Sequence, residues 1–177
     1  MSEADDARLV RETLGGNLRA FEALIDRYQK PVYNVAYRIT GDAADAEDVA
    51  QSAFLKAFER LRSFNPKFKF FSWLYRITIN EALNTEKKRH HHDVLDESAF
   101  AGQGTEEHVD RDGLVQRGIQ RLTPDYRAVV VLRHFEDLSY EEIGKTLGLP
   151  VKTVKSRLFS ARTILRKLLT QEGLTLE

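Results

Sequence analysis

The chain has 177 residues, of which 42% are apolar and 31% charged. This composition predicts a folded core in one domain or two small ones and excludes a disordered tail. The sequence has no run of about eighteen apolar residues, so no membrane span is expected, and its acidic N-terminus does not resemble a signal peptide. It has no cysteine, which excludes disulfides and thiolate metal sites and fits a cytoplasmic location.

Charge is distributed unevenly, although 27 basic and 27 acidic residues give a net charge of zero. Residues 1–92 carry 15 Lys and Arg against 13 Asp and Glu, a net +2. Residues 93–113 carry 1 against 7, a net −6, and residues 114–177 carry 11 against 7, a net +4. We therefore predict an N-terminal domain at 1–92, a flexible acidic linker at 93–113 and a C-terminal domain at 114–177.

Helical spacing of apolar residues dominates the sequence and signals for strands are nearly absent, which predicts an all-α fold. Four helices are predicted before residue 92. They begin near Ala4, Asn17, Asp42 and Ser72 and end near Leu14, Gly41, Asn65-Pro66 and Arg89. Pro31 is expected to kink or restart the second of these helices, because proline lacks the amide that the helix needs.

The C-terminal part carries a helix-turn-helix pattern. Thr123-Pro124 predicts one helix start, and Ser139 to Glu142 (S-Y-E-E) forms a capping box that predicts the next. Gly148 predicts a tight turn, and a longer helix opens at Pro150 or Val151. Two helices joined through a glycine turn, the second of them basic, are typical of proteins that place a helix in the DNA major groove.

The last helix is strongly basic. Seven Lys and Arg residues and no acidic residue lie between Ile143 and Gln171. The candidate DNA-binding residues on its outward face are Lys152, Thr153, Lys155, Ser156, Arg157 and Arg162. A solvated basic face on a structural helix is the alternative, but the capping box, the glycine turn and the charge together favour DNA binding.

The fourth helix mixes aromatic, amide and basic side chains at spacings of three and four, including Trp73, Arg76, Asn80, Asn84, Lys87 and Lys88. Just upstream, phenylalanines alternate with Lys67 and Lys69. Rings beside cations suit single-stranded nucleic acid, because bases stack on the rings while cations hold the backbone. Most of these aromatic residues could instead belong to the core. We expect a core position for Phe71 and for the neighbouring apolar residue Leu74.

Acidic residues cluster at the start of the third helix, where Asp42, Asp45, Glu47 and Asp48 fall in the first turns and are followed by the neutral Gln51. Negative charge stabilises the positive end of the helix dipole, which accounts for part of the cluster. The cluster exceeds what capping requires, so a protein-binding face is expected here.

Three motifs together resemble bacterial sigma factors, the promoter-specificity subunits of RNA polymerase. They are D-A-E-D-V-A-Q from Asp45 to Gln51, F-F-S-W-L-Y-R-I-T-I-N from Phe70 to Asn80, and the helix-turn-helix from Leu138 to Leu158. The motifs occur in the family's order and the resemblance spans nearly the whole chain. The short length resembles the two-domain extracytoplasmic-function (ECF) group of the sigma-70 family.

The resemblance implies three binding surfaces. Asp45, Asp48, Val49 and Gln51 would bind the clamp coiled coil of core RNA polymerase. The loop from Ser63 to Phe70 would receive a flipped base of the minus-ten element, with Ser63, Phe64 and Lys67 contributing. The helix from Trp73 to Lys88 would hold the melted strand, and the last helix would read the minus-thirty-five element as duplex.

The resemblance also implies a stress or envelope response, an anti-sigma factor that restrains the protein, and passage of the linker through the RNA-exit path of the polymerase. The near-zero net charge then has a physical interpretation. A factor that should find promoters only within polymerase gains from weak DNA binding alone, since non-specific affinity comes mainly from neutralising phosphates.

His90 to His92 depart from the family pattern. Consecutive helical residues point in different directions, so three adjacent histidines make a poor metal site, and a solvated patch near DNA is favoured over metal binding. No cofactor-binding motif and no catalytic arrangement are present, so an enzyme is disfavoured. A helix-turn-helix regulator with an N-terminal sensor or dimerisation domain is the remaining alternative.

Overall fold

The computed structural model describes residues 3–95 and 111–171, and side-chain surroundings are described for 5–89 and 111–171. The described residues form eight α-helices and one short 3-10 helix at Leu61–Ser63. In chain order the α-helices are α1 Glu3–Leu14, α2 Leu18–Thr40, α3 Ala43–Glu59, α4 Phe70–Leu95, α5 Arg111–Gln120, α6 Pro124–His134, α7 Tyr140–Leu147 and α8 Val151–Gln171. No helix within these ranges is long and apolar enough to cross a membrane.

Helices α1 to α4 form the N-terminal block. Helices α2, α3 and α4 pack on one another, and α1 lies against α2. The stripe of α2 that was predicted from spacing is buried, with Leu24, Val32 and Val35 fully inaccessible to solvent. Asp42 caps α3 by accepting a hydrogen bond from the Asp45 amide at 2.9 Å.

Helices α5 to α8 form the C-terminal block, in which α6, α7 and α8 make the predicted helix-turn-helix. Ser139 Oγ accepts from the Glu142 amide, and the Glu142 carboxylate accepts from the Ser139 amide at 2.9 Å, so the capping box is complete. Gly148 ends α7 with φ +68°, a left-handed conformation that glycine adopts without strain. The all-α fold of two helical domains with a C-terminal helix-turn-helix is therefore confirmed.

Four local predictions differ from the structure. The third helix, α3, ends at Glu59 and not near Asn65-Pro66. Pro31 lies inside α2, which continues from Leu18 to Thr40 without a restart. Ser72 does not cap α4, because α4 begins at Phe70 and the Trp73 amide already donates to Lys69 O at 3.4 Å. Ser72 is buried instead. The fourth helix also extends beyond Arg89 to Leu95.

The two blocks pack directly against each other around Arg127 of α6. Its side chain is 96% buried and donates to Glu86 Oε1 of α4 at 2.5 Å and to Ile39 O at the end of α2 at 2.7 Å. It also donates to three carbonyls at the end of α5, those of Ile119, Gln120 and Leu122. A cation at the C-terminal ends of two helices satisfies carbonyls that lack helical partners and complements both dipoles.

A second contact between the blocks surrounds Arg38 of α2. Its guanidinium donates to both carboxylate oxygens of Asp112, at 2.9 and 3.1 Å, and to Gln116 Oε1 at 3.0 Å. It also lies over the Phe135 ring, 4.3 Å from the centroid. Gln120 donates to the Arg38 carbonyl at 3.0 Å, so side chains and backbone join α2 to α5.

We predict that Arg127→Met lowers the free energy of unfolding by about 3–5 kcal/mol, because it removes the guanidinium that neutralises the buried Glu86. Arg157→Met is the matched control. Arg157 pairs with Asp125, whose side chain is 66% exposed, so its loss should cost below about 1 kcal/mol. Urea denaturation followed by circular dichroism measures both, and equal losses would contradict the prediction.

Gly41 lies where the two blocks approach each other closely around Gln120, so a larger side chain there should be destabilising. It adopts φ +73°, and a Cβ there would lie 2.8 Å from Gln120 Cδ. Gly41→Ala should cost about 1–2 kcal/mol for the left-handed backbone and a further loss because Gln120 must move off the Arg38 carbonyl.

Gly148→Ala is the control for Gly41→Ala, since its φ is +68° and its Cβ would meet Arg76 only at an ordinary 3.6 Å. Thermal unfolding should therefore show a larger decrease in melting temperature for Gly41→Ala than for Gly148→Ala. Equal losses would mean that the contact with Gln120 adds nothing.

Candidate nucleic-acid interface

The outward face of α8 is held in place by its buried face. Val154, Leu158 and Ala161 are buried against the C-terminal block, which leaves Lys152, Lys155 and Ser156 exposed near the start of the helix. Thr153 is half-buried. Four of the predicted residues, Lys152, Thr153, Lys155 and Ser156, thus lie in the first two turns of the helix that follows the glycine turn, whereas Arg157 is half-buried and the exposed Arg162 lies further along.

Neighbouring side chains orient three cations of α8. Arg157 Nη2 lies 2.8 Å from Asp125 Oδ2, and Lys155 Nζ lies 5.7 Å from the centre of the Tyr140 ring. Arg162 Nε donates to His134 Nε2 at 3.2 Å. Burial, with the charges of Arg162 and Arg133, lowers the pKa of His134. The lowered pKa favours the neutral imidazole, which can accept this hydrogen bond.

The N-terminal block presents an aromatic cluster before and within α4. The Phe64 ring centre lies 5.7 Å from that of Phe70 and 5.4 Å from that of Trp73. Phe64 and Phe70 are buried, whereas Trp73 is half-buried. The buried pair supports the cluster, and Trp73 is the ring of the three that is partly open to a ligand.

A cavity of about 200 Å³ opens beside Trp73. Ser63, Phe64, Asn65, Phe68, Ser72, Trp73 and Arg76 line it, together with Lys145 from α7. Asn65 Oδ1 accepts from the Lys67 amide at 3.0 Å, which fixes the loop, and the Lys67 side chain is exposed. Polar groups, an aromatic ring and a cation thus surround a concave surface, as expected for a site that holds a nucleobase.

The rest of the α4 surface continues from this cavity. Arg76, Asn80, Asn84, Lys87 and Lys88 are all exposed, so the polar side chains that spacing placed on one face do lie at the surface.

The candidate polymerase-binding residues of α3 are not equivalent. Asp48 and Gln51 are exposed. Asp45 is half-buried and its carboxylate lies 3.1 Å from Arg89 Nη1 of α4. Val49 is 2% exposed, so its side chain supports the surface from the core. Gln51 lines an open groove between α2 and α3 whose other lining residues include Ile25, Tyr33 and Phe54.

A second, apolar groove lies between α5, α6 and α8. Its lining residues include Val115, Ile119, Val130, Leu165 and Leu169, with Arg162 and Arg166 among them, and its volume is about 320 Å³. Spacing alone did not indicate this groove, because it forms only where three helices meet.

Sequence reasoning also missed two polar contacts that hold α7 and the α6–α7 connection against the N-terminal block. Lys69 Nζ lies 2.7 Å from Glu142 Oε1, and this hydrogen bond lowers the pKa of Glu142. Tyr75 Oη donates to Glu136 Oε2 at 2.6 Å. Burial raises the pKa of both Tyr75 and Glu136. No local pattern pairs residues this distant in sequence.

Two predictions concern residues that lie outside the described part of the chain. Most of the acidic linker, residues 96–110, lies outside the described residues. His90 to His92 lie within α4, but their side chains are outside the described part.

Two family models match the chain, one to each block. Sigma-70 region 2 matches residues 24–92. Sigma-70 region 4 matches residues 112–165. The region 2 match argues against a sensor or dimerisation domain at the N-terminus, and with it against the stand-alone regulator.

Curated relatives are similar to this protein over most of the chain. The RNA polymerase sigma-H factor of Pseudomonas aeruginosa is 38% identical, covering 96% of this chain and 96% of the relative. The ECF RNA polymerase sigma factor SigW of Bacillus subtilis is 33% identical, covering 89% and 93%. The ECF RNA polymerase sigma-E factor of Escherichia coli K12 is 34% identical, covering 89% and 90%.

Solved structures share the architecture. CnrH, in complex with the cytosolic domain of CnrY, superposes with a TM-score of 0.75 at 28% identity, covering 94% of this chain and 98% of CnrH. The sigma factor RpoE of Bartonella quintana, in complex with the anti-sigma factor NepR, has a TM-score of 0.70 at 23% identity, covering 85% and 96%, which supports the fold alone.

Both family models, the full-length relatives and the paired helical blocks lead to one assignment. The chain belongs to the ECF group of the sigma-70 family, whose members bind core RNA polymerase and direct transcription from specific promoters.

Proposed function

We propose that residues 1–92 bind core polymerase and the minus-ten element, that 93–113 is the linker, and that 114–177 reads the minus-thirty-five element. The observation that carries this division is the placement of the candidate residues. The exposed α3 acids, the cavity beside Trp73 and the basic face of α8 are three different surfaces, and Lys145 of α7 also lines the cavity. The protein acts in the cytoplasm, as a specificity subunit without catalysis of its own.

On this proposal α3 presents Asp48 and Gln51 to the polymerase. Both side chains are exposed and neither has to break an ion pair within the described chain to bind a partner. Asp45 contributes as well, but its pairing with Arg89 also fixes α3 to α4. Val49 acts by holding the helix in place.

The minus-ten surface is the cavity beside Trp73 and the α4 face that leads from it. A base that leaves the duplex must recover the unstacking energy, of order a few kcal/mol, by stacking and hydrogen bonding in the protein. Trp73 offers the ring, and Ser63, Asn65 and Arg76 offer polar groups. Lys67, Asn80, Asn84, Lys87 and Lys88 would hold the strand backbone on either side.

The activity is restrained by an anti-sigma factor and serves a stress or envelope response. Support comes from the likeness to CnrH, which was solved in complex with the cytosolic domain of CnrY. The groove between α5, α6 and α8 fits the apolar face of a partner helix, with Arg162 and Arg166 beside it for acidic side chains.

Asp48→Asn should weaken binding to core RNA polymerase about tenfold or more, because it removes an exposed charge from the binding face. Glu59→Gln is the matched control, an exposed acid at the far end of α3. Competition for fluorescently labelled polymerase measures both. Asp48 tests the site more cleanly than Asp45, whose loss also frees Arg89. Unchanged affinity for Asp48→Asn would refute this part of the proposal.

Lys155→Ala should weaken binding of the polymerase complex to all promoter sequences alike. It should also reduce the slope of log affinity against log salt by about 0.9, since one phosphate contact is lost. Thr153→Ala and Ser156→Ala should instead alter the preferred bases.

Lys167→Ala is the control for the change at Lys155, because Lys167 is an exposed cation about 18 Å further along the same helix. Fluorescence anisotropy on promoter fragments at several salt concentrations separates these effects. A slope unchanged by Lys155→Ala but reduced by Lys167→Ala would place the DNA at the other end of α8.

A further inference from the structure

Helix α1 lies outside the part of the chain that the region 2 family model matches, residues 24–92, and it carries a buried carboxylate. Asp6 is 5% exposed. Its two oxygens each accept a hydrogen bond from α2, one from Tyr28 Oη at 2.5 Å and one from Arg27 Nη1. A buried carboxylate is tolerated where donors satisfy its oxygens. Asp6 therefore fixes the positions of two side chains of α2.

The Tyr28 hydroxyl holds a ring that belongs to the aromatic cluster. Burial, together with the hydrogen bond to Asp6, raises the pKa of Tyr28, so the hydroxyl keeps its proton and donates. The centre of the Tyr28 ring lies 5.7 Å from that of Phe70, and the centre of the Phe70 ring lies 5.8 Å from that of Trp73. Ring pairs at these distances attract each other in specific geometries. One hydrogen bond and two ring contacts therefore connect Asp6 to Trp73.

Helix α1 also borders the loop that leads into α4. It packs on the 3-10 helix and on α4. Its residues Asp6 and Ala7 line a cavity of about 280 Å³. Three residues of the N-terminal block line both this cavity and the one beside Trp73, namely Phe64, Phe68 and Ser72. Because the two cavities share these residues, a shift of α1 reaches the proposed minus-ten site.

Fastening α1 to α2 does not account for the whole arrangement. Leu9 and Val10 of α1 are buried and supply apolar contact. Arg27 supplies the positive charge that the Asp6 carboxylate needs. The second hydrogen bond, from Tyr28, adds a donor whose ring packs on the aromatic cluster. That bond is the one that a role in the cluster requires.

We propose that Asp6 of α1 is a positioning residue for minus-ten recognition: through Tyr28 and Phe70 it fixes the Trp73 ring in the orientation that stacks on a flipped base. This inference rests on the proposed assignment of the cavity beside Trp73. A binding site must be held within about 0.5 Å of its productive geometry by side chains that are themselves locked. Trp73 is half-buried and borders the open cavity, so its orientation depends on the rings behind it. Helix α1 thus becomes part of the minus-ten site, although Asp6 is separated from Trp73 by two rings.

The first measurement is the motion of Trp73 in the free, full-length chain. Trp73 is the only tryptophan of the sequence, so its fluorescence reports on this ring alone. Tyr28→Phe keeps the aromatic ring and removes the hydroxyl that Asp6 holds. Time-resolved fluorescence anisotropy, which detects nanosecond motion, should show an amplitude of local Trp73 motion that is about twofold larger. Asp6→Ala should give the same increase, and the double variant should give no more, because both changes break one connection.

Two variants separate positioning from a general loss of stability. Tyr75→Phe is the matched control, since Tyr75 is buried, donates to Glu136 Oε2 at 2.6 Å and pairs with the ring of Phe71. It should leave the motion of Trp73 unchanged. Asp6→Asn should restore most of what Asp6→Ala loses, because an amide can accept from Arg27 and donate to the Tyr28 oxygen. Far-UV circular dichroism verifies that each variant is folded, and Tyr28→Phe tests the proposal if Asp6→Ala does not fold.

The second measurement is DNA binding by the complex with core RNA polymerase. The probes are one single-stranded and one duplex DNA fragment, each selected from a random library by the complex that contains the unaltered chain. Tyr28→Phe and Asp6→Ala should weaken binding of the single strand about tenfold, because a mobile ring stacks less well on a base. Binding of the duplex should stay unchanged, whereas a general loss of stability would weaken both. Fluorescence anisotropy of the labelled fragments measures the two affinities.

Equal motion of Trp73 in the unaltered chain and in Tyr28→Phe would overturn the proposal, as would equal losses of affinity for the two probes. Faster motion of Trp73 with unchanged affinity for the single strand would also overturn it, because the orientation of the ring would then have no bearing on recognition. A failure of the proposed function is distinct from these results. It would show as a Trp73→Ala complex that binds the single strand as tightly as the unaltered complex does.

Discussion

One buried arginine organises the structure. Arg127 donates five hydrogen bonds, to the Glu86 carboxylate and to carbonyls at the ends of α2 and α5. It therefore completes the C-terminal block, by ordering the α5–α6 connection, and joins that block to the other. A buried charge is tolerated only where its partners are all in place. The packing of α5, the end of α2 and the middle of α4 thus depends on one side chain.

Because Arg127 joins the two blocks, the two proposed DNA-reading surfaces lie close to each other. Helix α7 is held at its start by the capping box, and Glu142 of the same box pairs with Lys69 of the N-terminal block. One carboxylate therefore stabilises the helix-turn-helix and joins it to the N-terminal block. The capping bond lies within the helix-turn-helix, whereas the pair with Lys69 joins the helix-turn-helix to the N-terminal block.

Local signals in the sequence predicted most of the helices, because capping and glycine turns depend on neighbouring residues. The capping box at Ser139 and the turn at Gly148 are examples. The predicted helix start at Ser72 was wrong, because a serine before an apolar stretch resembles an N-cap even when it lies inside the helix. The burial of Val49 follows from its helical spacing to the buried Ala53 and Ala57, whereas the burial of Phe64 could not be read from its place among exposed site residues. Glu86 and Arg127 are 41 positions apart, and no periodicity pairs them.

The most direct test of this account is the distance between α2 and α8 in the full-length chain, measured with spin labels at Glu22→Cys and Thr163→Cys, both exposed, with and without Arg127→Met. The account predicts one narrow distance distribution for the chain that keeps Arg127 and a broader distribution for Arg127→Met, because Arg127 joins the two blocks. Equal distributions would contradict it.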